Sequence, residues 1–524
     1  MFKKPAKNPL VRIFTLLFAV TVLGVAVAQW MAKDAVSGFL VRKLPPHVQL
    51  EYEMIEVNVL TGTVALKDIV LDFYDRDSML LNTRVKMNAL SLEGLGYWDY
   101  LFRKKIKVQR LLLDAPAVRY YPYRILPKGD DEPAGVVHLL KSIEVKKLSV
   151  QNGRLDLLQQ GEDSISVRVR DVNFYVTDAR TGPELITQKI PVDYGGYELN
   201  TDSVYVNLSP YEELEVSGVF WNRDHAKVTG LQLHSKYGKN ELSRHLATER
   251  DYIDLSIPEM HLDSIRFGFE RDTFYIATGA GTIRKPDLEI YRDKLVADDS
   301  TPKKLYSRSL RQLPIHIDVP KIEIVDGNVV YSERVAEVAD PGKLIFENLN
   351  ASLSNISNTY APGGKTTVKA QTEFMGYADM TLSWSFDINS GDDAFWAAGT
   401  VSDFDTKSVN PFLQSNLRAE VSGAIDQMYF TVSGDAVSST GDMKMKYKDL
   451  RFKVFKKDGT GINRFLTAVG NLFVNAGSTN DADGFRYGRI DAERDPTKSF
   501  FNYLWLNVRD GTLSTLTGNG KKEE

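Results

Sequence analysis

"TGTVALKDIVLDF", Thr61 to Phe73, alternates like a β-strand except at its centre, where Lys67 and Asp68 stand side by side. Val64 and Leu66 hold the even positions before the pair, and Ile69, Leu71 and Phe73 hold the odd positions after it. Side chains of a strand alternate between its two faces, so a two-residue spacer between apolar pairs would turn the second pair to the opposite side. One β-bulge at the spacer restores the parity, bends the strand and raises its right-handed twist. The rival reading is a true flip, each strand being buried on one face at its start and on the other at its end, as in a sandwich whose strands cross between layers.

The same spacing recurs along the chain. It appears as "VALKDIVL" (64–71), "IKVQRLLL" (106–113), "IEVKKLSV" (143–150), "VRVRDVNF" (167–174), "LSIPEMHL" (255–262), "IDVPKIEI" (317–324), "LIFENLNA" (344–351) and "MKYKDLRF" (445–452). In four copies the central pair ends in Asp or Asn: Asp68, Asp171, Asn348 and Asp449. In the other four the strand runs on to a turn or break. There Asn152-Gly153 and Asp326-Gly327 are strong hairpin or Gly-bulge signals, and Ala115-Pro116 and Ser264-Ile265 weak ones. Recurrence of one spacer favours the bulge, and bulges at equivalent points would curl a long antiparallel sheet into one apolar concave face and one polar convex face. The residues expected on the apolar face are Val64, Leu66, Ile69, Leu71, Ile106, Val108, Ile143, Val145, Ile317, Val319, Ile322 and Ile324.

The bulk composition agrees with a β-rich globular chain. Of 524 residues, 43% are hydrophobic and 26% charged, and a net charge of −4 gives no case for nucleic acid. The absence of cysteine excludes disulfides, thiolate metal sites and cysteine nucleophiles. Helical periodicity is rare beyond residue 50. The main instance is "GINRFLTAVGNLFVNAG" (461–477), where Ile462, Phe465, Leu466, Val469, Leu472 and Phe473 mark one face of a short amphipathic helix.

At the N-terminus, residues 13–32 carry no charge and, at about 1.5 Å per residue, reach about 30 Å, the thickness of a bilayer core. The apolar residues of this expected transmembrane anchor are Ile13, Phe14, Leu16, Leu17, Phe18, Val20, Val22, Leu23, Val25 and Val27, with Trp30 at the far interface. Lys3, Lys4, Lys7 and Arg12 precede it, which holds residues 1–12 in the cytoplasm by the positive-inside rule and exports the rest. Ala26-Val27-Ala28 has the form of a signal-peptidase site, but the apolar run exceeds the roughly 7 to 15 residues of a signal core, which favours an uncleaved anchor.

Tests for chemistry find little. The histidines His47, His138, His225, His234, His245, His261 and His316 show no ligand spacing, and His225 and His234, the closest pair, have no evident acidic partner. "GGKTT" (363–367) lacks the earlier glycine of a phosphate loop, since Thr359 stands there. Asp68, Asp171 and Asp449 recur at one position of separate repeats, so they read as geometry rather than as a catalytic pair. No metal, cofactor or catalytic residue is expected. Near the C-terminus Phe500, Phe501, Tyr503 and Trp505 either close the end of the sheet or touch a membrane or partner.

The segment from Leu60 to Tyr121, with Gly-x-apolar, "LKDI", "RVKMNALSL" and "KIKVQRLLLDAPAVRYY" in that order, resembles the N-terminal repeat of the AsmA-like, TamB-related family of bacterial envelope proteins. "IEVKKLSVQNGRLDL" and "IDVPKIEIVDGNVVYSE" are similar to further copies, and "MKMKYKDLRFKVFKKD" resembles the C-terminal part of such proteins. The resemblance implies a repeating β-groove, anchored in the inner membrane as a single-pass protein with its bulk in the periplasm. Such a groove would bind acyl chains of phospholipid and assist lipid transport between the two membranes or outer-membrane maintenance, without enzymatic activity. The expected organisation is a transmembrane anchor at 13–32, a linker at 33–50, groove repeats at 51–250 and 251–430, a β/helical cap at 431–516 and a disordered tail at 517–524. The alternative is an assembly factor for outer-membrane biogenesis that binds envelope proteins and has no lipid conduit.

Overall fold

The structure is a computed structural model. It describes residues 44–517 except 76, 97–98, 100–104, 125–141, 161–163, 186–187, 338–339 and 456–480, together with Gln29, Lys33 and Asp34. The described residues are mainly β, with 25 strands paired in a mixed sheet. By contacts the chain divides into two compact units, 1–207 with 217–223, and 208–216 with 224–524.

In the first unit β1 (Val48–Glu51) and β2 (Met54–Asn58) pair with opposite ends of β3 (Thr63–Tyr74), which pairs antiparallel with β4 (Leu81–Glu93). β4 then meets β5 (Lys105–Asp114) and β6 (Ala117–Tyr120), one strand broken at Ala115-Pro116. Both of these run parallel to β7 (Ser142–Leu158). β7 pairs antiparallel with β8 (Ile165–Thr181), which carries β9 (Gly196–Thr201) and β10 (Ser203–Asn207). Residues 219–222 of β11 (Glu212–Asn222) close on β9.

The second unit repeats this scheme. β12 (His225–Ser235) pairs with β13 (Tyr252–Asp263), with α1 (Lys239–His245) between them in sequence. β14 (Arg266–Glu270) and β15 (Thr273–Ala277) form a hairpin, and β13 goes on to β16 (Gly281–Arg284) and β17 (Asp287–Asp293), broken at Lys285-Pro286. After α2 (Tyr306–Arg311), β18 (His316–Arg334) runs parallel to β15, β16 and β17. The equivalence with the first unit is atomic. The amide of Ala115 donates to Gln151 O and that of Arg154 to Pro116 O, as Lys285 N donates to Val325 O and Asn328 N to Pro286 O, all at 2.7–2.8 Å. The expectation of a purely antiparallel sheet is therefore corrected. Parallel neighbours need a crossover connection, and alternation within a strand carries no record of its partner's direction.

From β18 the ladder is antiparallel through β19 (Gly342–Ser357), β20 (Thr366–Phe374), β21 (Ala378–Phe386), β22 (Phe395–Asp405), β23 (Ala419–Gly434), β24 (Ser438–Val454) and β25 (Arg486–Glu493), with α3 (Asn410–Leu417) between β22 and β23. The largest buried cluster lies here, among Phe386, Phe395, Phe430, Val432, Met443, Met445 and Ile490, and it is closed by α4 (Phe500–Thr517). Trp384 stacks on Phe500 with centroids 4.5 Å apart, and Phe395 meets Tyr503 edge-on at 5.6 Å. A buried carboxylate secures α2 beside this cluster, for Asp393 takes Arg311 and Arg308 at 2.8 Å each and accepts from Ser307 Oγ at 3.0 Å. The aromatic run at 500–506 is thus helical, a correction to its grouping as one contact surface. The helix expected at 462–475 lies outside the described residues.

The spacer has a backbone cause. Asp68, Asp171, Asn348 and Asp449, the second residue of the pair in four copies, all have φ between 49° and 53°. In the other four copies the left-handed residue comes nine positions after the copy begins, at Ala115, Asn152, Ser264 and Asp326, with φ between 47° and 55°. Asn-Gly and Asp-Gly do not make hairpins. They sit inside the long strands β7 and β18, where the register with the next strand slips between Val150 and Gly153, and between Ile324 and Gly327, and then recovers.

These residues align across strands. Lys67↔Ala89 and Ile69↔Met87 bracket Asp68 with no change of register, which sets it opposite Asn88; Asn88 in turn faces Ala115, and Ala115 lies beside Asn152. The spacers Gln109-Arg110 and Lys146-Lys147 fall on a second row. There the left-handed conformation belongs to neighbours: Gly62 (φ 66°), Gly94 (φ 67°) and Asp178 (φ 51°). The expected bulge is therefore found at Glu347-Asn348 and not at Lys67-Asp68, where left-handed residues of several strands instead fall in one transverse row. At Asp68 the β3–β4 ladder keeps step through the kink, whereas at Asn348 the register between β19 and β20 shifts by one residue between Glu347 and Asn350 and stays shifted, as a bulge requires.

Candidate functional site

The kinks have the expected consequence for side chains. Leu66 and Ile69, three residues apart on β3, are 5% and 3% exposed and lie in one apolar cluster with Ile55 and Met87. On β4, Met87 and Leu90 are also three apart and join the same cluster. Val108 and Leu111 of β5 and Val145 and Leu148 of β7 repeat the arrangement in a second cluster with Val176 and Ala179. A regular strand would have sent each such pair to opposite faces, so the flip into a second layer is excluded at these strands.

Of the twelve residues expected on the apolar face, Leu66, Ile69, Val108 and Val145 are buried. Val64, Leu71, Ile106, Ile143, Ile317, Val319, Ile322 and Ile324 are half-buried, and none is fully exposed. Ile106 and Val108 stand beside Ile143 and Val145 in parallel register. Val319, Ile322 and Ile324 face Ile356, Leu353 and Ala351, and Ile324 also flanks Ile283. Gly281 leaves a gap that its neighbours fill, since a Cβ there would come within 2.5 Å of Ile322 Cδ1 and 2.8 Å of Leu262 Cδ2. Ile317, Val319, Ile322 and Ile324 belong to none of the buried clusters. They form the less covered part of the apolar face.

Partner-strand residues were the ones sequence reasoning left out: Ile55, Met87, Val176 and Ala179. For Met87, Val176 and Ala179 the signal was present in "RVKMNALSL" and "VNFYVTDA", which carry the same three-residue step.

The opposite face is ionic. Lys67 Nζ bonds Glu56 at 2.8 Å, and that hydrogen bond with the attraction of Glu56 raises the lysine pKa. Lys321 meets Glu323 at 2.6 Å, which lowers the glutamate pKa. Glu259 is pulled down to about 2 by its hydrogen bonds with Lys227 first and His261 second. His234, expected to lack an acidic partner, has Nε2 3.1 Å from Glu213 Oε1. That glutamate comes from the adjacent strand, which spacing along the chain does not reveal. Among the described residues no group of three or more His, Cys, Asp or Glu is placed to hold a metal.

The C-terminal aromatics separate by helical face. Phe500 and Tyr503 are 5% and 1% exposed inside the cluster beneath α4, whereas Phe501 and Trp505 are 56% and 41% exposed. Only the latter two remain available to a membrane or partner, because side chains three or four apart share a helix face and adjacent ones do not. The anchor at 13–32 lies outside the described residues apart from Gln29, whose Oε1 accepts from Val59 N at 2.9 Å. No described helix is long and apolar enough to cross a membrane.

No known family model matches this chain, and no curated protein does.

Proposed function

We propose that this protein is a membrane-anchored, non-enzymatic lipid carrier of the bacterial envelope, whose kinked strands hold acyl chains of phospholipid against one apolar wall. The carrying observation is the retention of three-residue-spaced pairs such as Leu66 and Ile69 on a single face, with eight of the twelve wall residues only half-buried. Acyl chains cost about 0.8 kcal/mol per CH₂ left in water, so a lipid crossing an aqueous space needs a continuous apolar surface. A wall of Val, Ile and Leu supplies one without covalent chemistry. The resemblance to AsmA-like proteins supports the same reading, including an inner-membrane anchor and a periplasmic location.

Photocrosslinking residues placed at Val64, Leu71, Ile106, Ile143 and Ile322 of the full chain in cells test it, with Lys67 and Glu323 as polar-face controls. Capture of phospholipid at the first group and not at the controls is expected. Equal capture at both, or none at the wall positions, overturns it and leaves the assembly factor as the reading to pursue.

A further inference from the structure

The kink row of the first unit dents the polar face as well. Along Asp68, Asn88 and Ala115 runs a depression of about 430 Å³, continuous through Lys86, Ala117 and Arg154 with a second of about 350 Å³. The second is strongly cationic. Arg84, Lys86, Arg119, Arg154 and Arg170 surround it, and among the described residues Asp156 is the only acid on its wall. The registers explain the convergence: Arg84 stands opposite Arg119, Arg119 beside Asp156, and Asp156 opposite Arg168, while Lys86 and Arg154 flank Ala117 on either side. Ala117 forms the floor because its methyl group is the only side chain between two long cationic ones. All these positions alternate with Val85, Met87 and Val118, so they lie on the face opposite the apolar wall.

Two carboxylates partly neutralise the group. Asp72 takes Arg84 through Nε and Nη2 at 2.8 and 2.7 Å, and Asp156 takes Arg170 at 2.9 Å and Arg168 at 3.3 Å. Among the described residues Lys86, Arg119 and Arg154 have no carboxylate within ion-pair distance. Among the described residues, five cations on that wall against Asp156 and the Asp72 bonded to Arg84 leave an excess of three positive charges, in a chain whose net charge is −4. Like charges directly across a ladder, as at Arg84 and Arg119, destabilise a sheet, and arginine forks match the oxygens of phosphate in bidentate fashion.

We propose that this cradle binds a phosphate-bearing group, a multiply charged oxyanion held between Lys86, Arg119 and Arg154 above Ala117. A singly charged carboxylate would leave most of the excess uncompensated. The ligand is either a soluble phosphate compound or the headgroup of an anionic phospholipid, and the site is independent of the acyl-chain wall.

The test uses the full chain in neutral detergent micelles. Inorganic pyrophosphate is titrated by calorimetry, and dioleoyl-phosphatidylglycerol is compared with dioleoyl-phosphatidylcholine in mixed micelles. The double variant Arg119→Gln/Arg154→Gln alters exposed side chains without ion-pair partners, and Lys67→Gln/Lys105→Gln removes the same charge elsewhere. Binding that weakens at least tenfold in the first variant and less than twofold in the second is expected, with melting temperatures unchanged. Such a loss for pyrophosphate identifies a soluble phosphate, and such a loss for phosphatidylglycerol alone identifies a headgroup. Equal losses in the two variants, or no binding of either probe by the unmodified chain, overturn the proposal.

Discussion

At the scale of single residues, a left-handed backbone inside a strand is what decides this fold. Asp and Asn tolerate positive φ better than other residues with a Cβ, because their short polar side chains bond locally. Asn173 shows such a local bond beside the kink, its Nδ2 donating to Asp171 O at 3.1 Å while its Oδ1 accepts from Asn152 N at 3.2 Å. At Asp68 the φ of 50° requires a residue at ease in that region. Asp68→Gly is expected to keep or raise the melting temperature of the full chain, and Asp68→Val to cost about 1–2 kcal/mol. A valine variant as stable as the glycine one in thermal unfolding would remove the kink from the account. The tolerance of Asp and Asn also explains why six of the eight kinks were legible. Asp68, Asn152, Asp171, Asp326, Asn348 and Asp449 announce themselves, whereas Ala115 and Ser264 adopt the same conformation with no such signal.

At the scale of elements, α4 was hidden by its composition. Phe, Tyr and Trp crowded into 500–506 favour strand by intrinsic propensity and gave no helix expectation there, yet the buried positions Phe500, Tyr503, Leu504, Asn507, Gly511 and Thr515 follow a helical step. Docking on β24 and β25 is close, for a Cβ on Gly511 would meet Ile490 Cγ1 at 2.8 Å and Met443 Cε at 2.9 Å. Buried Asn507 is satisfied within this contact, accepting from Ser439 Oγ and donating to Tyr503 O, each at 2.8 Å. Tyr503→Ala should therefore cost about 3–5 kcal/mol, as large aromatic truncations in a core do. Trp505→Ala should stay within about 0.5 kcal/mol. Chemical denaturation of the two variants checks this, and comparable losses would mean that the exposed face is also packed.

At the scale of the whole molecule, buried acids set the response to pH. Burial opposes ionisation of Glu249, but hydrogen bonds from Lys498 at 2.7 Å and Lys294 at 2.9 Å outweigh it and hold its pKa below the usual carboxylate range. Glu212 is likewise desolvated and likewise lowered, by Arg250 at 2.6 and 2.7 Å and by Ser209. A folded-state pKa below the unfolded value of about 4.3 gives stability that is fully present above that pH and lost as pH falls through the folded value. Melting temperature should then be level above about pH 5 and drop toward about pH 3. Glu249→Gln should melt lower near neutrality and show a shallower acid limb, as followed by circular dichroism. An acid limb as steep as that of the unmodified chain would assign the loss to other groups.

Local alternation and residues suited to positive φ record the β class, the repeated spacer and the apolar side of strands such as β3 and β7. Tertiary structure alone decided which strands lie side by side. The parallel join of β5 and β6 to β7, the neighbours Gly94 and Asp178 that supply kinks to spacers lacking their own, and the pairing of His234 with Glu213 all depend on residues distant in sequence. The cationic cradle around Ala117 has the same origin, since its arginines come from strands whose registers bring them together. Alternation is a property of one strand, whereas a site is a property of several strands in register, and register is set by the packing of the whole sheet.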